Sequence, residues 1–510
     1  ATALSENLAL RIAISAKSAD VRASEGIFQT FQLALLGETA AVLQAATKRR
    51  IASESALAAA FTDSVTASGT MERYEAIMQS TSGPTGPKLV GLERQLAIGK
   101  SVLDRAQGEI SKRLKSDALA ATVEPIALGD AARALGAGEG LVLLHAGEDA
   151  VAGLLLQSSG AVRVWTTAMP RTDLEALVAT VRLGTYDNKK PFPTNTAADL
   201  FETLLGPIRD ELAGLRHLIV LTDGPLQSLP FAILPTERLK SDPEDDGALV
   251  NADVKWLIRT HALTATPSVR ALVEQRRATS QSKAARVGNP IFQGAVGLKR
   301  GVDFKGVLGV KKLAQLDVIR GFAELPETAY ELRELGKILS GSTSDLLLGK
   351  DATERRVKGL KLTDYRIVAF ATHGLIAGDA GGDTEPGLAL TPPQEASDVD
   401  DGLLTTSEIM ALRFDADLVV LSACDTASSN GLPRAEGLSG LALSFFGAGA
   451  RALLVTHWPI PSLPAVEITT KSARAWLDNP SLGWAGALQQ AQVRLALDKS
   501  RPEFAHPSSW

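Results

Sequence analysis

Residues 365–374 read Tyr365-Arg366-Ile367-Val368-Ala369-Phe370-Ala371-Thr372-His373-Gly374, and residues 417–426 read Asp417-Leu418-Val419-Val420-Leu421-Ser422-Ala423-Cys424-Asp425-Thr426. Each stretch contains a continuous apolar run, which is typical of a strand buried on both faces of a parallel sheet. Each run then leads to a reactive side chain, His373 in one stretch and Cys424 in the other. Ligands of open α/β sheets bind beyond the carboxyl ends of the strands, so adjacent parallel strands would bring these two side chains to one edge.

The residues around these two stretches alternate between strand and helix patterns. Strands are expected at 345–348, 365–371, 387–390, 417–422 and 450–456, and helices at 327–339, 353–360, 407–412 and 434–446. Thr353 is a suitable N-cap for the helix at 353–360. Apolar strands separated by helices predict an α/β fold with a largely parallel sheet flanked by helices.

A less regular α/β pattern lies upstream. We expect strands at 140–145, 151–156 and 217–222, and helices at 172–182 and 197–213. Residues 277–316 are rich in glycine and carry Lys283, Arg286 and further basic side chains, with only Phe292 and Phe304 as aromatic residues among them. This pattern favours a solvated linker between two α/β halves, or alternatively a mobile surface segment, over a polyanion site.

The first part of the chain has a helical pattern. Ile27, Phe31 and Leu35 recur at helical spacing, and a second apolar stripe runs from Leu92 to Leu114. A chain of 510 residues contains about three domains at roughly 150 residues each. We therefore expect an all-α N-terminal module at 1–122, an α/β lobe at 123–300 and a second α/β lobe at 301–510.

The composition excludes several classes of protein. A net charge of −5 gives no overall basic field for a nucleic acid, and one cysteine cannot form an internal disulfide or a Cys-rich metal site. No apolar stretch reaches the 18 or so residues that a membrane span needs. We expect a cytoplasmic protein with no cofactor and with neither nucleic acid nor membrane as a partner. Because the sequence begins Ala1-Thr2-Ala3 without Met, we also expect it to be a piece of a longer protein.

Cys424 is the candidate nucleophile. A thiol with an unperturbed pKa near 8.5 is only a few per cent ionised at neutral pH, so it needs a nearby base. His373 precedes it by 51 residues, close to the separation of about 50 between His and Cys in caspases. Gly374 has no side chain, so its N–H can approach a substrate carbonyl and form an oxyanion hole with the Cys424 N–H.

Other features give weaker candidates. His457, in Val455-Thr456-His457-Trp458, is the alternative base, whereas the remaining four histidines are expected to be structural. The spacing of His, Cys and carboxylates does not match a zinc site, so we predict no catalytic metal. Acidic residues after the His373 strand are expected in solvated loops, with Ca²⁺ binding as the alternative; they are Asp379, Asp383, Glu385, Asp398, Asp400 and Asp401.

Several segments together resemble the CHAT domain, a bacterial branch of the caspase-like cysteine peptidases that includes separases. The resembling segments are 370–374, 385–390, 401–405, 421–426, 435–441, 449–455 and 506–507. Upstream, residues 221–226, 229–231 and 266–269 look like the first half of the family's domain. The resemblance covers roughly residues 130–510. It implies a sheet-centred caspase-like fold with a degenerate first lobe and an active second lobe, often preceded by helical, TPR-like repeats.

The resemblance also implies a function. His373 would be the base and Cys424 the nucleophile of a cysteine endopeptidase that cleaves protein substrates, with a regulatory protein bound by the N-terminal helices. Relatives that cut after Arg or Lys often carry Asp two positions before the cysteine, but Ser422 stands there. Asp425 and Glu436 are the candidate substrate-binding carboxylates, or alternatively caps of the following helix.

Two further readings remain open. A catalytically silent caspase-like scaffold that binds a protein partner is the main alternative, and an acyl transferase that uses the same dyad is a more distant one.

In the family, the terminal His-Pro element normally continues through Trp into one more apolar strand, whereas this sequence stops at Trp510.

Overall fold

The computed structural model describes residues 21–35, 125–186, 190–243, 254–277, 283–292, 313–339, 345–375, 380, 384–422, 440–458 and 460–510, together with five isolated positions between 94 and 105. Most of the stripe from Leu92 to Leu114 lies outside the described residues. The chain divides into two compact units. Of the described residues, 21–35, 125–277 and 458–510 belong to the first unit, and those between 283 and 457 belong to the second.

The elements are labelled in chain order. The strands are β1 Glu139–Ala146, β2 Ala150–Gln157, β3 Val162–Ala168, β4 His217–Thr222, β5 Ala262–Ala265, β6 Lys283–Gly288, β7 Leu346–Leu348, β8 Tyr365–Ala371, β9 Gly374–Leu375, β10 Gly387–Ala389, β11 Leu403–Thr405, β12 Leu418–Ser422 and β13 Leu453–Leu454. The α-helices are α1 Val21–Ala34, α2 Leu128–Ala134, α3 Arg171–Leu183, α4 Thr194–Leu204, α5 Arg209–Leu212, α6 Val269–Arg277, α7 Leu316–Arg320, α8 Pro326–Leu339, α9 Glu354–Lys358, α10 Thr406–Ala411, α11 Gly440–Ala448, α12 Ser462–Asp478 and α13 Gly483–Ala496.

The first unit is built on a mixed sheet in the order β3-β2-β1-β4-β5. Strands β1, β4 and β5 run parallel, whereas β1, β2 and β3 form an antiparallel meander. A connection of three residues between β1 and β2 is too short for a parallel crossover and forces a hairpin. The strands predicted at 140–145, 151–156 and 217–222 are confirmed.

Two apolar layers cover this sheet. Alternate side chains of β1 enter different clusters because successive strand residues point to opposite faces: Val142 and Leu144 enter one, and Leu141 and Leu143 the other. Ile27, Phe31 and Leu35 lie in the second cluster, which confirms the first N-terminal stripe as a buried helix face. The first cluster includes side chains of the C-terminal region, namely Trp458, Ile468, Leu495, Ala496, Ala505 and Trp510.

The second unit contains a five-stranded sheet in the order β13-β12-β8-β6-β7. Every pair of neighbours in it is parallel. A separate antiparallel sheet has the order β11-β10-β9, and β9 begins three residues after β8 ends. The expected largely parallel α/β sheet is confirmed, and β8 lies between β12 and β6.

The prediction of a linker at 277–316 is wrong where it covers β6, an interior strand of this sheet. Lys283 and Arg286 interrupt the apolar run that marks a buried strand, so the local pattern is polar. Arg286 is nevertheless only 3% exposed, and its Nη1 donates to the Leu332 carbonyl of α8 at 3.3 Å. Burial lowers the pKa of Arg286, against the opposing charge of Asp345. The hydrogen bond to a long-range partner allows this side chain to be buried.

Short helices of the second unit begin at side-chain caps, one of which was predicted. The Thr353 side chain accepts a hydrogen bond from the Arg356 N–H at the start of α9, as predicted. Thr405 and Glu408 form a capping box at the start of α10, which satisfies two backbone donors reciprocally. The second cap lies at the junction of β11 with α10.

Several boundaries differ from the prediction. The helix expected at 197–213 is interrupted between α4 and α5, because Gly206-Pro207 disfavours a continuous helix. The strand expected at 450–456 is limited to Leu453–Leu454. Residues 458–510 belong to the first unit, whereas the sequence assigned them to a lobe at 301–510. No described helix has the length and apolarity that a membrane crossing requires.

Candidate active site

The strand ends that precede the candidate dyad lie side by side. The parallel register of β8 and β12 pairs Ala371 with Ser422. His373 follows Ala371 by two residues in the sequence, and Cys424 follows Ser422 by two. The strand that leads to His457, β13, pairs with the other side of β12. The sequence therefore correctly predicted that these three strands end at one edge of the sheet.

Cys424, Asp425 and Glu436 lie outside the described residues. Their predicted roles as nucleophile and as substrate-binding carboxylates therefore stay predictions. His373, Gly374 and His457 are described, and all three are half-buried.

A backbone carbonyl holds the His373 imidazole. Its Nε2 lies 2.8 Å from the Ala323 carbonyl oxygen, in the turn between α7 and α8. A carbonyl can only accept, so Nε2 carries the hydrogen and Nδ1 of the neutral ring carries the lone pair. The sequence did not predict this contact. Every residue has a backbone carbonyl, so no residue type indicates which carbonyl accepts a hydrogen bond from a distant imidazole.

Two aromatic rings enclose the same imidazole. The centroids of Phe292 and Phe322 lie 5.5 and 5.4 Å from the His373 ring. Burial lowers the pKa of His373 below its ordinary value, while the hydrogen bond to the Ala323 carbonyl and the charge of Glu327 oppose the shift. The ring is therefore neutral at pH 7 and able to accept a proton.

The backbone after His373 is locked to β10. The Thr372 hydroxyl donates to the Ala389 carbonyl, and the Ala389 N–H donates to the His373 carbonyl at 3.0 Å. Gly374 is paired with Leu388 in this antiparallel ladder. The Ala389 N–H bonds to the carbonyl of His373, the residue before Gly374, and not to Gly374 itself. Gly374 and Leu388 are therefore a non-hydrogen-bonded pair of the antiparallel ladder, in which the N–H of each residue points away from the partner strand. The Gly374 N–H therefore faces away from β10.

A buried carboxylate lies at the end of β12. The Ser422 hydroxyl donates to Oε2 of Glu331 at 3.0 Å. Glu331 belongs to α8 and is 1% exposed. Sequence reasoning missed it, although a signal existed: Glu331 falls on the buried stripe of α8 that Thr328, Leu332 and Leu335 define.

A second cluster of buried charges lies near β11. Lys358 of α9 contacts Glu354 and Glu408, and the Asp401 N–H donates to Glu354 Oε2 at 2.8 Å. Burial, and then the charge of Glu408, raises the pKa of Glu354 to about 8. The pKa of Glu408 is lowered instead, because hydrogen bonds from Thr405 and Lys358 outweigh its burial. A proton in this cluster therefore resides on Glu354.

The acidic loops bind protein groups in the described part of the chain. Asp401 accepts the N–H groups of Ala314 and Leu403, and Glu385 accepts from Thr406 and Ser407. Among the described residues, no group of three or more His, Asp or Glu side chains is arranged to hold a metal ion. Asp379 and Asp383 lie outside those residues.

The four histidines expected to be structural all have protein partners. They are His145 with Asp223, His217 with Glu139 and Thr264, His261 with the Leu212 carbonyl, and His506 with Ser508. His261 and His506 are buried, and burial lowers the pKa of His261. These contacts fit roles within the first unit.

The motifs around this edge match a known domain over most of the chain. A profile of the CHAT domain matches residues 194–510. The chain belongs to the CHAT domain family. The predicted CHAT domain and the predicted α/β fold are thus confirmed, while bacterial origin stays a prediction.

Two curated relatives are similar to part of this chain at modest identity. Tetratricopeptide repeat protein 28 of Mus musculus is 26% identical over 332 residues, and that of Homo sapiens is 27% identical over 332 residues. Each alignment covers 58% of this chain and only 12% of the relative. The chain thus spans about an eighth of the length of these relatives.

Solved structures similar to this CHAT chain include two of a bacterial proteinase. The Arg-specific cysteine proteinase gingipain R is 10% identical, with a TM-score of 0.35 over 66% of this chain and 73% of that chain. A complex of the pro- and mature domains of Porphyromonas gingivalis RgpB is 8% identical, with a TM-score of 0.34 over 66% of this chain and 74% of that chain.

Proposed function

We propose that this chain is a cysteine endopeptidase in which Cys424 attacks a peptide carbonyl and His373 transfers the proton. The observation that carries the proposal is the parallel pairing of Ala371 with Ser422. The two proposed reactive residues have the same offset of two residues from that pair. Two residues extend at most about 7 Å, so this offset favours an encounter between the two side chains.

The orientation of His373 supports its role as the base. With Nε2–H donated to the Ala323 carbonyl, Nδ1 is the atom available to the thiol. A lowered pKa of the imidazole disfavours a preformed thiolate–imidazolium pair and favours proton transfer as the sulfur attacks. In this step the S–H bond breaks, the S–C bond forms, and the proton moves to Nδ1.

The next steps use the same groups. The N–H groups of Gly374 and Cys424 hold the oxyanion of the tetrahedral intermediate. The pairing of Gly374 with Leu388, which directs the Gly374 N–H away from β10, supports this role. Protonated His373 then donates to the leaving amine, and a thioester forms at Cys424. Water, deprotonated by His373, hydrolyses the thioester and regenerates the thiol.

The proposed substrates are exposed loops or extended segments of proteins. Asp425 and Glu436 are the proposed contacts for a basic side chain of the substrate. The N-terminal helical region, which includes α1, is proposed to bind a regulatory protein. No cofactor takes part in these steps, and the proposal assigns the reaction to a cytoplasmic enzyme.

The direct test is mass-spectrometric identification of new protein N-termini after incubation of a cell extract with the chain. Wild type is compared with Cys424→Ala and His373→Ala, each checked by thermal melting to have a comparable Tm. We expect cleavage by wild type and loss of at least about a thousandfold in both variants. Cleavage that survives in Cys424→Ala contradicts the proposed nucleophile. Absence of cleavage by wild type, together with no alkylation of Cys424 between pH 6 and 9, supports the silent scaffold instead.

A further inference from the structure

One helix and the turn before it contact the ends of three neighbouring strands. Thr328 Oγ1 of α8 accepts the N–H of Asn289, which follows β6, at 3.1 Å. The Ala323 carbonyl, three residues before α8, accepts from His373 after β8. Glu331 accepts from Ser422 at the end of β12. The segment from Ala323 to Glu331 therefore contacts both strand ends that precede the proposed dyad.

Glu331 is a buried carboxylate that accepts a hydrogen bond from the end of a strand. It is 1% exposed, and burial of a carboxylate costs several kcal/mol unless hydrogen bonds and charges compensate. Replacing a buried charged group and its partner by well-packed apolar side chains is often neutral or stabilising. The hydrogen bond from the Ser422 hydroxyl partly compensates the cost of burying Glu331, and it connects the end of β12 to α8.

The helix carries a second carboxylate one turn earlier. Glu327 and Glu331 are spaced i, i+4, so they lie on the same side of α8. The charge of Glu327 acts on the His373 imidazole, whereas Glu331 contacts Ser422. Two carboxylates on the same side of α8 thus act on two different groups, the His373 imidazole and the Ser422 hydroxyl at the end of β12.

We propose that Glu331 is a positioning residue, which acts through Ser422 to hold the end of β12 in register with His373. This inference rests on the proposed function, because it assigns Glu331 a role in the geometry of the His373–Cys424 dyad. Errors of about 1 Å between reacting groups reduce rates by about a hundredfold. Loss of the Glu331–Ser422 bond should therefore change the reactivity of Cys424 more than it changes folding.

The single cysteine provides a readout that needs no substrate. Alkylation by iodoacetamide reports on Cys424 alone, since the chain has 1 Cys. An isolated thiol of pKa about 8.5 reacts about a hundredfold more slowly at pH 6.5 than at pH 9.5, where it is ionised. A thiol whose proton passes to a neighbouring base as the sulfur attacks retains reactivity at pH 6.5. The ratio of the rate constants at pH 6.5 and pH 9.5 thus measures how well the base assists Cys424. A change in the solvent access of the thiol alters both rate constants equally, so it does not change the ratio.

The test compares this ratio in wild type, Ser422→Ala, Ser422→Thr, Glu331→Gln and Ser444→Ala, with Tm measured for each. Ser444 is a matched control, because it is buried and its hydroxyl donates to the Leu441 carbonyl within α11. We expect the ratio to fall about tenfold in Ser422→Ala. Ser422→Thr keeps the donor and Glu331→Gln keeps an acceptor, so both should stay within about threefold of wild type. Ser444→Ala should match wild type.

Two results would overturn the inference, and they are distinguishable. In the first, Ser422→Ala has the same ratio of alkylation rates as wild type and loses about as much Tm as Ser444→Ala. This result contradicts the positioning role but does not contradict the dyad. A wild-type ratio already near one hundredth contradicts the dyad itself, and with it any role for Glu331 in positioning the dyad.

Discussion

The His373 ring is fixed by the carbonyl of Ala323, which lies 2.8 Å from Nε2. This contact selects one tautomer and leaves Nδ1 as the basic atom of the site. The turn that holds Ala323 continues into α8, whose residue Glu331 contacts Ser422. One short segment therefore orients the proposed base and contacts the strand that leads to the proposed nucleophile.

The charge of Glu327 should raise the pKa of His373 in the folded protein. Burial lowers this pKa below the ordinary value of 6.5, and Glu327 partly opposes the shift. Glu327→Gln should therefore lower the His373 pKa further, by a few tenths of a unit to about one unit. NMR titration of the imidazole, assigned with His373→Asn, measures the shift directly.

Glu334→Gln is the control for this titration, because Glu334 pairs with Lys337 further along α8. A His373 pKa that rises in Glu327→Gln, or that shifts equally in both variants, would contradict the assigned electrostatics.

The contact between α8 and β6 requires glycine at position 336. A Cβ at Gly336 would lie 1.2 Å from Nη1 of Arg286, which is buried beneath the helix. Gly336→Ala should therefore destabilise the protein by about 1–3 kcal/mol through overpacking. Urea unfolding followed by far-ultraviolet circular dichroism measures the loss.

Gly359→Ala provides the comparison for Gly336→Ala. Gly359 has a right-handed φ of −80° at the end of α9, and a Cβ there would have ordinary contacts of 3.4 and 3.5 Å. We expect this change to be neutral or slightly stabilising. Equal effects of the two substitutions would be inconsistent with the proposed packing of Arg286.

Glu354 should make stability depend on pH in the neutral range. Its pKa is raised from 4.5 to about 8 by burial and by the charge of Glu408. A carboxyl with a raised folded-state pKa contributes stability that is fully present below the unfolded pKa and is lost as pH rises through the folded pKa. Relative to Glu354→Gln, wild type should therefore gain stability as pH falls from about 8 to about 4.5, on the order of 1 kcal/mol or more.

Urea unfolding of both proteins at several pH values tests the Glu354 prediction. Glu395→Gln is the control, because Glu395 is exposed in the loop between β10 and β11. A difference between wild type and Glu354→Gln that is constant from pH 5 to pH 8 would rule out a protonated Glu354.

The sequence predicted those parts of the fold that have a local signal. The apolar runs of β8 and β12 gave 365–371 and 417–422, close to the observed strands, because a strand buried on both faces needs continuous apolar side chains. Strand β6 was missed because Arg286 is accommodated by a carbonyl and a glycine of α8. That compensation comes from residues about 50 positions away and leaves no local trace.

The candidate site shows the same division. His373 and Gly374 were recognised from their position after a buried strand. The contact with the Ala323 carbonyl could not be predicted, because a backbone carbonyl occurs in every residue and is not indicated by any residue type. Glu331 was recognisable in principle as a charge on an apolar helix stripe, but its partner Ser422 was known only from the fold.

The most direct test of the central claim asks which histidine activates Cys424. The rate of iodoacetamide alkylation at pH 6.5, divided by the rate at pH 9.5, is measured in wild type, His373→Ala and His457→Ala. His457 follows β13, the other neighbour of β12, and is therefore the matched rival. We expect the His373→Ala ratio to fall to about one hundredth, the value of an isolated thiol, while His457→Ala retains the wild-type ratio. The account is contradicted if His373→Ala has the same ratio of alkylation rates as wild type. It is also contradicted if this ratio falls to about one hundredth in His457→Ala.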